Sequence, residues 1–157
     1  MKIMLVIGTR PEAIKMAPVF HALQAAADFE PAVCVTGQHR QMLDPFMAAL
    51  QMTAAHDLDI MQPGQDLFDV AARALLGLRQ AIGRARPDAL LVQGDTTTAL
   101  AGAMAGFFLH VPVGHVEAGL RTFNLAASFP EEGNRAMLSR IAAFHFAPTP
   151  RSRDNLL

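Results

Sequence analysis

Three short motifs place carboxylates where a predicted strand gives way to a loop or helix. They are Gln93-Gly94-Asp95-Thr96-Thr97-Thr98, His115-Val116-Glu117-Ala118-Gly119-Leu120-Arg121-Thr122 and Phe129-Pro130-Glu131-Glu132-Gly133-Asn134-Arg135. In an open α/β sheet such junctions converge on one crevice, where ligands bind. Asp95, Glu117 and Glu131 gathered there, with arginines nearby, would suit proton transfer on an anionic substrate. Each acid also has an ordinary role open to it. Asp95 fits a helix N-cap, and Glu131 and Glu132 fit a first helical turn with Arg135 one turn on. His115 and Glu117 share one face of a regular strand and are close enough in sequence to interact. A His-x-Glu pair also suits a metal, but no third ligand stands at a recognised spacing, and a satisfied core histidine is the better reading of His115.

A fourth segment, Ile7-Gly8-Thr9-Arg10-Pro11-Glu12, links the first strand to the first helix. Thr9 and Glu12 fit a capping box, and Pro11 suits the first turn. The free N–H groups of a helix start attract anions, so Arg10 and Lys15 on that helix could hold a phosphate. The alternative is a plain capped helix with Glu12 and Lys15 paired at i,i+3. The segment is not GxGxxG, which speaks against a dinucleotide-dependent dehydrogenase. The loop Thr36–Asp44, with Gln38 and Gln41, is polar and dense in hydrogen-bond donors.

The elements that must position these groups alternate. Strands are expected at Lys2–Gly8, Pro31–Thr36, Asp57–Ile60, Ala89–Gln93, Val111–Val116 and His145–Pro148. Helices are expected at Pro11–Ala27, Gln41–Gln51, Leu67–Arg86, Thr96–Leu109 and Glu131–Ala143, with a stub capped by Ser152. In Leu67–Arg86 the apolar residues Leu67, Val70, Ala71, Ala74, Leu75, Leu78 and Ile82 follow the helical period. This βα alternation predicts an α/β fold, a parallel sheet with helices on both faces.

At 157 residues the chain is long enough for one domain with a real core. Its 52% hydrophobic and 17% charged content excludes a disordered chain. With 13 basic and 14 acidic residues the net charge is −1, so no basic field points to nucleic acid or a membrane surface. The single Cys34 lies in an apolar run and is expected to be a buried structural thiol. The apolar run Ile3–Gly8 is too short for a signal peptide or membrane span, which predicts a cytoplasmic protein. The last residues, from Ser152, look like a helix cut after about one turn.

In order along the chain, the segments GTRPEAIKMAP (Gly8–Pro18), TGQHRQMLD (Thr36–Asp44), QGDTTTALA (Gln93–Ala101), HVEAGLRT (His115–Thr122), PEEGNR (Pro130–Arg135) and HFAPT (His145–Thr149) resemble the non-hydrolysing UDP-N-acetylglucosamine 2-epimerases. The resemblance implies a GT-B fold, two Rossmann-like domains with the active site between them, of which this chain would be the N-terminal domain. It implies interconversion of UDP-N-acetylglucosamine (UDP-GlcNAc) and UDP-N-acetylmannosamine (UDP-ManNAc), with no cofactor or metal. Asp95, Glu117 and Glu131 match the catalytic acids, and Arg10 and Lys15 match substrate-binding positions. Gln38, Gln41, Gln65 and Glu131 match positions for a second, allosteric UDP-GlcNAc. A homodimer is implied for the full-length protein. Two rival readings are a nucleotide-sugar-binding module without catalysis and a glycosyltransferase of the same architecture.

Overall fold

The computed structural model describes residues 1–37 and 40–157. Its elements run β1 (Lys2–Ile7), α1 (Arg10–Ala25), β2 (Glu30–Val35), α2 (Arg40–Ala49), β3 (Ala54–Asp57), α3 (Leu67–Ala85), β4 (Ala89–Gln93), α4 (Thr97–Phe108), β5 (Val113–Val116), α5 (Glu131–Ile141), β6 (Phe144–Phe146) and α6 (Pro150–Asp154). The strands form one sheet in the order β3-β2-β1-β4-β5-β6, and every pairing is parallel.

β1 shows why the sheet must be covered on both faces. Successive side chains of a strand point to opposite sides. Ile3, Leu5 and Ile7 enter one core with Ala13, Met16 and Phe20 of α1 and Leu43 and Met47 of α2. Met4 and Val6 enter the other with Val70, Ala74 and Leu78 of α3, residues of α4, and Leu138 of α5. An apolar run with no polar alternation is what such two-sided burial requires. On the α1 side, the outer strands leave an apolar groove of about 520 Å³ lined by Leu91, Gly114, Val116, Phe144 and Phe146 among others.

Three elements differ from expectation. β3 lies at Ala54–Asp57 rather than Asp57–Ile60. The later residues still bond to the end of β2, Leu58 N–H to the Val35 carbonyl and Ile60 N–H to that of Thr36. Asp59, however, has φ 47° and breaks the extended run. β6 is Phe144–Phe146, paired to β5 through Gly114, His115 and Val116. α6 is capped by Thr149, whose hydroxyl oxygen accepts the Ser152 N–H at 3.1 Å, so Ser152 is a buried residue inside the helix and not its cap. Pro150 at the first helical position explains the earlier start. Cys34 is fully buried, and burial, aided by the charge of Asp57, pushes its thiol up to about 12. It is an inert structural thiol. Among the described residues no helix is long and apolar enough to cross a membrane.

Candidate functional site

The strand order reverses direction of growth between β1 and β4, and the carboxyl ends of such neighbours open a crevice. A cleft of about 360 Å³ lies there, with Lys15, Gln93, Asp95, Thr96, Glu117 and Arg135 in its walls. It is the place where the loops after β1, β4 and β5 meet.

Asp95 follows β4 through Gly94, whose φ of 70° turns the chain outward at no steric cost. Asp95 does not cap α4. That task falls to Thr96, whose Oγ1 accepts the Ala99 N–H at 3.0 Å. The Asp95 carboxylate is thereby free to accept from Arg135, with Oδ2 2.7 Å from Nε and 2.5 Å from a terminal nitrogen. Asn134 Nδ2 donates to the Asp95 carbonyl at 2.7 Å, so two neighbours on α5 hold this turn.

Glu117 follows β5 with φ 65°, a left-handed conformation that costs a non-glycine residue about 1–3 kcal/mol and that gathers at functional sites. Its Oε2 accepts from Lys15 Nζ at 2.6 Å and from Gln93 Nε2. Lys15 therefore pairs across the cleft, not with Glu12 on its own helix. Glu117 does not bond to His115. The buried His115 donates from Nε2 to the Gly94 carbonyl at 2.7 Å, while Nδ1 meets no partner among the described residues. Burial, with help from His145, depresses the His115 pKa, outweighing the Gly94 bond and the charges of Asp95 and Glu117. It is a neutral imidazole that braces the β4–α4 turn. Among the described residues no group of three or more His, Cys, Asp or Glu side chains could hold a metal ion.

The third acid motif divides its two glutamates. Glu131 is half-buried at the start of α5, its side chain makes no hydrogen bond or ion pair among the described residues, and it is not in the cleft wall. Glu132 turns inward and is 1% exposed. It accepts from Arg121 Nε at 2.7 Å, from the Thr122 N–H at 2.9 Å and from the Phe123 N–H at 3.1 Å. Burial opposes its charge, but the Thr122 amide, Arg121 and the Phe123 amide outweigh it and hold the carboxyl down to about 2. Arg135 reaches Glu132 as well, at 3.6 Å, and so joins Glu132 to Asp95.

Arg10 is exposed, with its guanidinium 5.2 Å from the centre of the Phe46 ring on α2. It faces α2 and does not line the cleft beside Lys15. Gln38 lies outside the described residues. Gln41 belongs to the first turn of α2. Gln65 ends the turn before α3, where its Oε1 accepts the Gln62 N–H at 2.9 Å. The cleft also contains Thr96, one of three threonines expected to put hydroxyls at the crevice edge, and Glu12, Gln93 and Arg135, to which the sequence assigned no part in the site. Glu12 and Arg135 had local signals only, a capping-box spacing from Thr9 and an i,i+3 spacing from Glu132.

A model of the UDP-N-acetylglucosamine 2-epimerase family matches residues 21–157. The chain belongs to this family. It is 53% identical over its whole length to the UDP-N-acetylglucosamine 2-epimerase of Yersinia pestis and covers 42% of that protein. Over 99% of the chain it superposes on the Neisseria meningitidis UDP-GlcNAc 2-epimerase, a structure bound to UDP-GlcNAc, with TM-score 0.96 and 47% identity, covering 42% of that chain. It superposes likewise on the Methanocaldococcus jannaschii enzyme in complex with UDP-GlcNAc and UDP, with TM-score 0.92, 34% identity, and 99% and 42% coverage. The chain thus spans about two-fifths of the length of these relatives. Its six-stranded fold is the N-terminal, Rossmann-like half of the GT-B architecture.

Proposed function

We propose that this chain is the N-terminal domain of a two-domain, cytoplasmic UDP-GlcNAc 2-epimerase and supplies one wall of its active site. The observation that carries the reading is the pairing of Lys15 with Glu117 and of Arg135 with Asp95 in one switch-point cleft, in a member of this family. In the forward reaction a base takes the C2 proton of UDP-GlcNAc and the C1–oxygen bond to UDP breaks. This leaves 2-acetamidoglucal and free UDP. Re-addition of UDP at C1, with a proton delivered to the opposite face of C2, gives UDP-ManNAc. The reaction asks for acids and bases around the sugar and for cations at the departing diphosphate.

Asp95, Glu117 and Glu131 are the acids of this proposal, and Lys15 and Arg10 hold the substrate's anionic part. Asp95 and Glu117 already stand in the cleft wall. Glu131 and Arg10 reach the substrate from its margins. A second UDP-GlcNAc acts as allosteric activator beside Gln38, Gln41, Gln65 and Glu131. The full-length enzyme is a homodimer, for which the exposed Phe68, Phe107, Phe108 and Met137 on α3, α4 and α5 offer apolar surface.

Two measurements test this reading. The 157-residue chain incubated alone with UDP-GlcNAc is expected to yield no UDP-ManNAc, and a rate like that of the family's full-length enzymes would overturn the two-domain account. In the full-length enzyme, Lys15→Met should weaken UDP binding by about 10- to 100-fold, the worth of a charge-assisted hydrogen bond. Calorimetric titration with UDP reads this directly, and unchanged affinity would remove Lys15 from the anion site.

A further inference from the structure

Glu12 is 1% exposed and stands in the first turn of α1, at the back of the cleft. Its carboxyl is more than a helix cap. Oε2 accepts from the Gly8 N–H at 2.8 Å, the Thr9 N–H at 2.6 Å and the Thr9 hydroxyl at 2.9 Å. Oε1 reaches across to β4–α4 and accepts the Thr96 hydroxyl at 2.6 Å. Four donors thus converge on one buried carboxyl from two loops 84 residues apart in sequence. The loops also touch behind it. A Cβ added at Gly8 would stand 2.2 Å from Thr98 Oγ1, so only glycine allows the approach. Lys15 lies one turn beyond Glu12 on α1, and Asp95 directly precedes Thr96.

We propose that Glu12 is a positioning residue that clamps the β1–α1 turn to the β4–α4 turn and so sets the spacing of Lys15 and Asp95 across the cleft. This rests on the reading of Lys15 and Asp95 as site residues. A carboxyl is suited to the task because its two oxygens take donors from both sides at once. Burial raises its pKa while the bonds from Thr96, Gly8 and Thr9 pull it back, and satisfied buried polar groups of this kind rigidify their surroundings.

The test uses the full-length enzyme with Glu12→Gln, Thr96→Val, Thr96→Ser and the Glu12→Gln/Thr96→Val double variant. Glutamine keeps an acceptor for Gly8 and Thr9 and loses the one facing Thr96. Glu12→Gln and Thr96→Val should each lower kcat by about 10- to 100-fold, as expected for sub-ångström misplacement of reacting groups, with KM within about threefold of wild type. Thr96→Ser keeps the hydroxyl for both Glu12 and the Ala99 N–H and should restore most of the kcat lost in Thr96→Val, and the double variant should be no slower than Thr96→Val, which loses the α4 cap together with the link to Glu12. Amide hydrogen exchange in Glu12→Gln should rise together in residues 8–15 and 94–97. Multiplying losses in the double variant, Thr96→Ser as slow as Thr96→Val, or faster exchange in only one turn would overturn the proposal. If the wild-type enzyme makes no UDP-ManNAc, the functional reading fails instead, and hydrogen exchange still decides whether Glu12 couples the two turns.

Discussion

Glu117→Gln in the full-length enzyme should lower kcat by about 10²- to 10⁴-fold, the usual worth of a general acid or base, while the protein stays folded. Glutamine matches the shape of glutamate and can still accept from Lys15 Nζ and Gln93 Nε2, so the geometry of the cleft is largely kept. What it loses is the capacity to take or give a proton. The backbone at this position makes the case stronger. A left-handed φ of 65° at a glutamate is a cost the fold carries at a position in the cleft wall. The conformation aims the carboxylate into the cleft and against Lys15. Steady-state turnover of UDP-GlcNAc, with circular dichroism to confirm folding, checks this. A kcat within about threefold of wild type would show that Glu117 transfers no proton in the slow step.

Glu132→Ala should destabilise the domain by about 3–5 kcal/mol, because it strips one partner from a buried ion pair. Arg121 would lose its carboxylate, and the Thr122 and Phe123 amides would lose their acceptor. For a chain of this size the melting temperature should fall by roughly 10 °C. The same group predicts a pH dependence. The folded carboxyl titrates near 2 and the unfolded one near its ordinary 4.5. The unfolded chain therefore takes up the proton first on acidification. Stability from Glu132 is complete above about pH 4.5 and is lost as pH falls towards 2. Urea unfolding of wild type and Glu132→Gln across that range should converge at the acid end. Parallel curves would show that Glu132 is not the group responsible. Because Arg135 bridges Glu132 to Asp95, the variant should also loosen the Asp95 side of the cleft.

The parts legible in the sequence are those set by local pattern. The unbroken run Ile3–Gly8 announced a strand covered on both faces, and the ends of β4 and β5 put Asp95 and Glu117 in one crevice as expected, whereas Glu131, expected there with them, is not in its wall. Partner choice was not legible, because it depends on contacts far apart in the chain. Lys15 meets Glu117 across 102 residues and Glu12 meets Thr96 across 84, so the local pairing of Glu12 with Lys15 lost to two remote ones. Glu131 and Glu132 show a different limit. Neighbours on a helix point about 100° apart, and spacing alone does not say which one turns inward. Arg135 stands within one turn of both, yet its partners are Glu132 and Asp95. The shift of β3 has a local cause, the positive φ at Asp59, a conformation that aspartate adopts more readily than most residues but that its presence alone does not announce.

The cleft between β1, β4 and β5 is proposed as one wall of an epimerase active site. Turnover of UDP-GlcNAc by the full-length enzyme, followed by NMR beside its Asp95→Asn variant, tests it most directly. UDP-ManNAc is expected from the wild type, and a rate lower by about 10²-fold or more from the variant. Absence of UDP-ManNAc from the wild type, or an Asp95→Asn variant that turns over at the wild-type rate, would contradict it.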